Sequence, residues 1–308
     1  MQYEKNDLVK SPLNYTGGKY KLLPQILPLF PSKITTFVDL FCGGCNVGIN
    51  VKAEEIICID NQEQLIRLFN TLKSYDKEDV FKTIGEIIEK YKLSQSSMYG
   101  YGYYNCTSSE GLLIYNKPHF MKLREDYNKR NENNFYYDMV FYTLTIFSFN
   151  NQIRFNKNGF CNIPAGKRDF NKKIKENLSR FIDKIKGNNI NFISSDFKEI
   201  ANKDNMNEVF VYADPPYLIT TASYNEQGGW NEEKEKELLQ LLDELNRRKS
   251  KFALSNVIES KGTENIILKE WSKKYKVNFL DYNYNNSNYQ KKETNKKSKN
   301  VEVLITNY

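Results

Sequence analysis

Val209-Phe210-Val211-Tyr212-Ala213-Asp214-Pro215-Pro216-Tyr217 reads as a buried strand that stops at a carboxylate, two prolines and an aromatic ring. A short, unbroken apolar run bounded by turn residues has the character of a strand covered on both faces. Pro215 and Pro216 fix φ and lack an N–H, so a strand ladder cannot pass through them. Asp214, the Pro215 carbonyl and the Tyr217 ring are thereby held in a stiff turn at the strand's carboxyl end. Open α/β sheets bind their ligands at that end. Taken alone, the tetrapeptide also reads as an ordinary strand-ending turn with a solvated Asp.

Toward the N-terminus, Thr36-Phe37-Val38-Asp39-Leu40-Phe41-Cys42-Gly43-Gly44-Cys45-Asn46-Val47-Gly48 reads as an apolar strand, a glycine-rich turn and a helix start near Asn46. Glu55-Ile56-Ile57-Cys58-Ile59-Asp60 is another strand, ending in an acid about 20 positions after the first, where a carboxylate can accept hydrogen bonds from ribose hydroxyls. No GxGxxG is present, so an adenosine-containing ligand without a pyrophosphate fits better than a dinucleotide. Earlier still, Asn14-Tyr15-Thr16-Gly17-Gly18-Lys19-Tyr20 sets a glycine pair, free to turn with positive φ, before a cation. A plain surface turn and a βαβ unit with incidental glycines read the same from these stretches alone.

The 308 residues suffice for one large α/β domain with an insertion, and 40% are hydrophobic, enough for a sizeable core. Lys and Arg number 45 against 38 Asp and Glu, a net charge of +7 that mildly favours a polyanionic partner. The polar Met1–Lys10 does not resemble a signal peptide, and no apolar run approaches the ~20 residues of a membrane span. Cys42, Cys45, Cys58, Cys106 and Cys161 sit in apolar or motif contexts, which fits a reducing, cytoplasmic location. Cys42 and Cys45 form a lone CxxC, with His119 far away, so no metal is expected.

Asn61–Asn70 continues into a helix. From Thr71 to Arg168 the strand–helix alternation stops. Val80–Lys92, with Ile84, Ile87, Ile88 and Tyr91 on one side, then Pro118–Lys129 and Phe135–Phe147 read as helices, and Ser94–Ser109 as a tyrosine-rich loop. Phe149–Arg168 alternates apolar and polar residues around Lys157-Asn158-Gly159, a β-hairpin signal with an Asn-Gly turn. Asn, Gln and Arg side chains such as those on its sides pair with adenine and guanine edges, and a two-stranded ribbon fits a major groove. A solvated hairpin with polar faces reads alike. Lys172–Gly187, Asn231–Lys249 and Asn265–Lys274 are predicted helices. Ile190–Asp196, Phe252–Asn256, Val277–Tyr282 and Val301–Asn307 are predicted strands, with a polar loop over Asn283–Asn300 whose five lysines suit a solvated surface or a phosphate backbone.

Asn14–Lys19, Asp39–Gly44, Asp60, Asn150–Gly166, Asp214–Tyr217, Asn285–Tyr289 and Glu302–Asn307, in that order, resemble the Dam-like (Asp-Pro-Pro-Tyr, alpha-group) family of DNA adenine N6-methyltransferases. The resemblance implies an α/β fold, a Rossmann-like methyltransferase sheet built from residues 1–70 and 169–308. An inserted, mainly helical recognition domain, 71–168, carries the hairpin. It implies S-adenosyl-L-methionine as cofactor and a flipped adenine in double-stranded DNA as substrate. Tyr15, Lys19, Asp39, Phe41, Gly43, Asp60, Asp196 and Asp214 fall on the cofactor side, although Asp196 is equally a plain strand-end Asp. Asp214, Pro215 and Tyr217 fall at the chemistry, and Asn150, Arg154, Asn156, Pro164 and Lys167 on the DNA.

The resemblance implies a GATC or GAT-containing site, although Asn14, Asn151 and Gln152 stand where the members that mark GATC carry a lysine and a Gly-Leu pair. A cognate restriction endonuclease acting on the same site and a monomer or weak dimer complete the picture. Asp at position 214 disfavours cytosine- and glutamine-methylating relatives, which carry Ser and Asn there. An RNA adenine substrate and a catalytically dead nucleic-acid-binding protein are the rival readings.

Overall fold

The computed structural model describes residues 7–15, 17–200, 209–219, 229–281 and 300–308. Thr16, the Asn285–Tyr289 motif and nearly all of the lysine-bearing loop lie outside the described residues.

The apolar runs become strands β1 (Thr36–Asp39), β2 (Glu55–Asp60), β3 (Ile190–Ser194), β4 (Phe210–Ala213), β5 (Lys251–Ser260), β6 (Thr263–Glu264), β7 (Lys276–Leu280) and β8 (Val301–Thr306). They form one sheet in the order β3-β2-β1-β4-β5-β8-β7, with β6 paired to β5. The pairs from β3 through β5 are parallel, and β8 runs antiparallel between β5 and β7. From β1 the chain moves to β2 and β3 on one side, then returns to β4 and β5 on the other. The order therefore reverses between β1 and β4, and their carboxyl ends open on a crevice of the kind that holds ligands in such sheets. The Rossmann-like expectation is met.

Helices α1 (Leu23–Ile26), α2 (Glu63–Ser74), α3 (Lys77–Lys90), α4 (Ser96–Tyr99), α5 (Leu113–Asn128), α6 (Phe135–Phe147), α7 (Lys172–Gly187), α8 (Phe197–Ile200), α9 (Glu232–Arg247) and α10 (Ile266–Ser272) cover the sheet. Asn134, Asn171, Asn231 and Asn265 start α6, α7, α9 and α10, each accepting a backbone N–H three residues on. Side chains alternate across the sheet. Phe37, Ile56, Cys58, Phe210, Tyr212 and Leu304 join the core under α2, α3, α6 and α7. Val38, Ile59, Val211, Phe252, Leu254 and Ile305 join the core under α9 and α10. Burial on both faces is why these strands carry unbroken apolar runs.

Residues 71–168 add no strand to the sheet among the described residues, yet their apolar side chains share one cluster with it. Helix α6 is buried from Met139 to Phe147 and packs on α2, α3 and α5. Arg67 Nε at 2.6 Å and Thr71 Oγ1 at 2.7 Å both donate to the Asp138 carboxylate, joining α2 to α6.

Four local expectations change, the first being that Ser94–Ser109, expected as a loop, holds the short helix α4. Helix α2 runs past residue 70 because Leu65, Ile66, Leu68, Phe69 and Leu72 form a single buried stripe. No helix starts at Asn46: the segment makes isolated turns, with Cys45 at φ 57° and the Asn46 and Asn50 side chains bonded away to Ser11 and Val9. The hairpin is a turn without strands. Gly159 at φ 74° closes it with an Asn156–Phe160 backbone bond, but only the single bridges Phe155–Cys161 and Ser148–Ala165 pair its sides. Asn128 bonds both the N–H and the C=O of Cys161, and Arg124 takes the Ile163 carbonyl, capturing groups that a ladder would need.

Gly166 closes this segment onto the end of α6, where a Cβ would stand 2.1 Å from the Ser148 carbonyl oxygen. Gly166→Ala is expected to destabilise the fold by about 1–3 kcal/mol or more. Urea unfolding of the two proteins measures it, and an unchanged midpoint would refute the close packing.

Candidate active site

The carboxyl ends of β1, β2 and β4 each deliver a carboxylate, Asp39, Asp60 and Asp214. Beyond β4 stands Asp214, fixed by the prolines that follow. Its Oδ1 lies 2.8 Å from Lys19 Nζ and 3.2 Å from the Tyr217 hydroxyl. Lys19, only 5% exposed, also donates to the Gly17 carbonyl at 2.9 Å, and its ammonium lies 4.9 Å from the Tyr217 ring centroid. The Gly-Gly-Lys turn and the Asp-Pro-Pro-Tyr turn, almost two hundred residues apart (on the order of the length of a whole domain), thus form a single cluster.

At the end of β2, the Asp60 carboxylate accepts the Gly43 N–H at 2.9 Å through Oδ2 and the Gln62 N–H at 2.9 Å through Oδ1. It therefore shapes the glycine turn while remaining partly exposed. A Cβ on Gly43 would meet the Tyr15 ring at 2.8 Å, and one on Gly44 would meet Tyr15 Cβ at 2.9 Å, so glycine is what lets Tyr15 lie against the turn. Phe41 packs between Phe197 and Trp230, with ring centroids 5.3 and 5.5 Å away. Cys42, Cys45 and Cys58 are buried under the turn as free thiols, and no metal-holding group occurs among the described residues.

Asp39, 1% exposed at the end of β1, leaves Oδ1 buried without a hydrogen-bond partner, while the Gly48 N–H serves its carboxyl. Burial drives its pKa well above the carboxylate range, and the Cys45 and Asp214 charges add to this. Burial also pushes up Asp60, against hydrogen bonds from Gln62 and Gly43. It does the same to Asp214, against the opposing Lys19 ammonium. For Lys19, burial pulls down, but Asp214 and Glu302 outweigh it and the ammonium is held above its ordinary value. The crevice is thus rich in carboxylates with a donor-hungry oxygen, a place suited to a ligand that brings N–H donors and positive charge.

The remaining predicted residues sit elsewhere. Asp196 is exposed and its Oδ1 accepts the Lys198 N–H at the start of α8. Asn150 and Asn151 both have positive φ. Asn151 is buried and donates to the Thr145 and Ile146 carbonyls at the end of α6, whereas Asn150 is exposed and its carbonyl accepts from Asn14. Arg154 is exposed but folded onto Asn162, with Nε and Nη2 engaged. Asn156 Oδ1 accepts two N–H groups of the turn. Pro164 and Lys167 are exposed, and their carbonyls accept from Phe149 and Leu112. The Asn14–Asn150 contact brings the polar segment to the edge of the first motif.

Glu302 lies in the Glu302–Asn307 stretch of the resemblance, but its contact with Lys19 and Tyr217, like that of Phe197 and Trp230 with Phe41, follows only from the fold. A lone acid in the apolar run Val301–Ile305 was the available signal for the first. Rings without periodicity gave none for the others.

Residues 15–294 match the family described as D12 class N6 adenine-specific DNA methyltransferase. The chain is 41% identical to the type II methyltransferase M.FokI of Planomicrobium okeanokoites over 100% of this chain and 44% of that protein. It is also 41% identical to the modification methylase StsI of Streptococcus sanguinis, over 97% of this chain and 43% of the other. Identity to the DNA adenine methylase of Escherichia coli K12 is 24%, over 87% and 86%. The chain thus spans less than half the length of the first two relatives.

The buried Asp39 carboxyl carries a pH signature. Its folded pKa lies above the unfolded value, so the folded state holds the extra proton, and stability falls as pH rises from the model-peptide value of 3.8 toward the raised one. Asp39→Asn is expected to flatten that decline and raise the melting temperature at pH 7 by a few degrees, on the order of 1 kcal/mol. Thermal unfolding from pH 4 to 8 checks this; a variant that still loses stability in parallel with the parent would refute it.

Proposed function

This chain belongs to the D12 class N6 adenine-specific DNA methyltransferase family, and from that premise we propose that it transfers a methyl group from S-adenosyl-L-methionine to the exocyclic N6 amine of an adenine flipped out of duplex DNA. The observation that carries the reading is the Lys19–Asp214–Tyr217 cluster at the carboxyl end of β4, beside a glycine turn closed by Asp60.

The residues present fit the cofactor. Asp39 Oδ1 is a buried acceptor without a donor, Asp60 closes the glycine turn where it would take the ribose hydroxyls, and the Phe41–Gly44 turn under Tyr15 allows close backbone approach. When bound, S-adenosylmethionine supplies an electrophilic methyl group on a sulfonium. An adenine amine is a weak nucleophile because its lone pair is delocalised into the ring. Asp214 and the Pro215 carbonyl accept its two N–H bonds, which favours a pyramidal nitrogen with an available lone pair. Lys19 holds Asp214 Oδ1, which leaves Oδ2 to the incoming amine. Tyr217 stacks on the base, and the rate comes from positioning and electrostatics rather than from a strong base. The base must leave the duplex, since its target atom is out of reach inside it.

Residues 1–70 and 169–308 form the methyltransferase part and 71–168 the target-recognition part. The division follows chain order and strand content, while the two parts share a core. Asn150, Arg154, Asn156, Pro164 and Lys167 face the DNA. Arg154 has Nη1 to spare and gains a bidentate guanine contact by releasing Asn162, for about 1–3 kcal/mol of discrimination. The family resemblance supports a GATC or GAT-containing target. Modification methylases among the relatives support a restriction endonuclease as partner on the same site. The five free thiols support a reducing, cytoplasmic location, with the chain acting as a monomer or weak dimer.

Asp214→Ala is expected to lower methyl transfer by about 10³-fold or more, with DNA binding nearly intact; labelled-methyl and gel-shift assays on one preparation measure both, and retained activity would refute the assigned role. Duplexes holding GATC should be labelled at adenine and those holding GTTC should not. Equal labelling of the two would sink the GAT reading, and labelling of RNA alone would replace DNA as substrate.

A further inference from the structure

Strand β8 reads Val301-Glu302-Val303-Leu304-Ile305-Thr306, a single carboxylate in an apolar run. Glu302 is only 3% exposed. Burying a carboxylate is costly unless ion pairs and hydrogen bonds satisfy it. Two partners among the described residues belong to the candidate site: the Tyr217 hydroxyl donates to Glu302 Oε1 at 3.1 Å, and Lys19 Nζ lies 3.6 Å from the same oxygen. The placement follows from topology. Strand β8 is antiparallel to β5, so its first residues meet the carboxyl end of β5, and Glu302 pairs with Val257 there. Alternation puts Glu302 on the face of Leu304, in the core that also holds Tyr212 and Leu22, the face from which Lys19 arrives.

We propose that Glu302 is a positioning residue for methyl transfer: it orients the Tyr217 ring through the phenol and keeps the Lys19 ammonium against Asp214, so that one Asp214 oxygen is left for the amine. The inference rests on the methyltransferase reading above. Among the described residues three acceptors surround the ammonium, Gly17 O, Asp214 Oδ1 and Glu302 Oε1, and three N–H donors are what an ammonium has. The Tyr217 hydroxyl lies between Asp214 and Glu302, 3.2 and 3.1 Å from them, which restrains the ring plane. Glu302 also contributes a second negative charge that favours protonated Lys19. Removing it loosens the ring that would stack on the base and the cation that would hold the accepting carboxylate, without touching substrate directly.

Glu302→Gln retains shape and an acceptor for Tyr217 but not the charge, and Glu302→Ala retains neither. In the full chain, Glu302→Gln is expected to keep binding of duplex DNA and S-adenosylmethionine within about threefold while kcat falls roughly tenfold or more. Glu302→Ala should fall further. The alkaline limb of the kcat profile should move to lower pH in Glu302→Gln, because Lys19 loses a carboxylate that holds its proton. Competitive acetylation of Lys19, followed by mass spectrometry across pH, should show the same downward shift without depending on activity. Unchanged kcat and an unchanged limb in both variants would overturn the proposal, as would an unchanged Lys19 midpoint. So would losses accounted for entirely by melting. A parent chain that methylates no DNA would refute the methyltransferase reading, and the acetylation profile would still decide the Glu302–Lys19 coupling.

Discussion

A lysine ammonium enclosed by two carboxylates and a carbonyl, where water scarcely reaches, is the constraint on which the site depends. Lys19 comes from the N-terminal turn, Asp214 and Tyr217 from the end of β4, and Glu302 from the last strand. Desolvation cancels much of the Coulombic gain of such a buried group, so it is weak evidence for stability. What it fixes is geometry. Any one of the three segments misplaced leaves a charge buried without its partner, and the sheet order that interleaves β8 between β5 and β7 is what brings them together.

The same crevice is electrostatically uncomfortable. Asp39, Asp60 and Asp214 are all pushed by burial toward neutrality, and Asp39 has a bare oxygen. Functional sites commonly hold such groups at some expense of stability. The arrangement suits a ligand that carries positive charge and N–H donors.

Much of the sheet was legible in the sequence because strands buried on both faces advertise themselves as unbroken apolar runs. Ile56–Ile59 and Phe210–Ala213 are such runs, and the Pro215-Pro216 pair marked where β4 had to stop. Asp60 and the glycine turn were legible by spacing. What escaped depended on contacts distant in sequence. Asn46 suits a helix start, but the Asn46 and Asn50 amide oxygens accept the Ser11 and Val9 N–H groups instead. Cys161 and Ile163 alternate like strand residues, but Asn128 and Arg124 hold their backbone. Glu302 stands in a predicted strand and a motif stretch, but only the folded chain supplies its cation. Local pattern records what a residue prefers, and these residues are governed by what arrives beside them.

The uninterrupted core under α6 has a consequence for how specificity changes over time. Ile163, Ala165 and Phe147 lie in the same cluster as Phe37 and Phe210, and Asp138 is clasped by α2. The segment proposed to face the DNA is therefore not a cassette. Transplanting it between family members would carry mismatched side chains into the layer that supports β1 and β4. New targets are reached more readily by altering exposed positions one at a time, so diversity along this lineage should accumulate on the rim of the segment while its underside stays matched to the sheet.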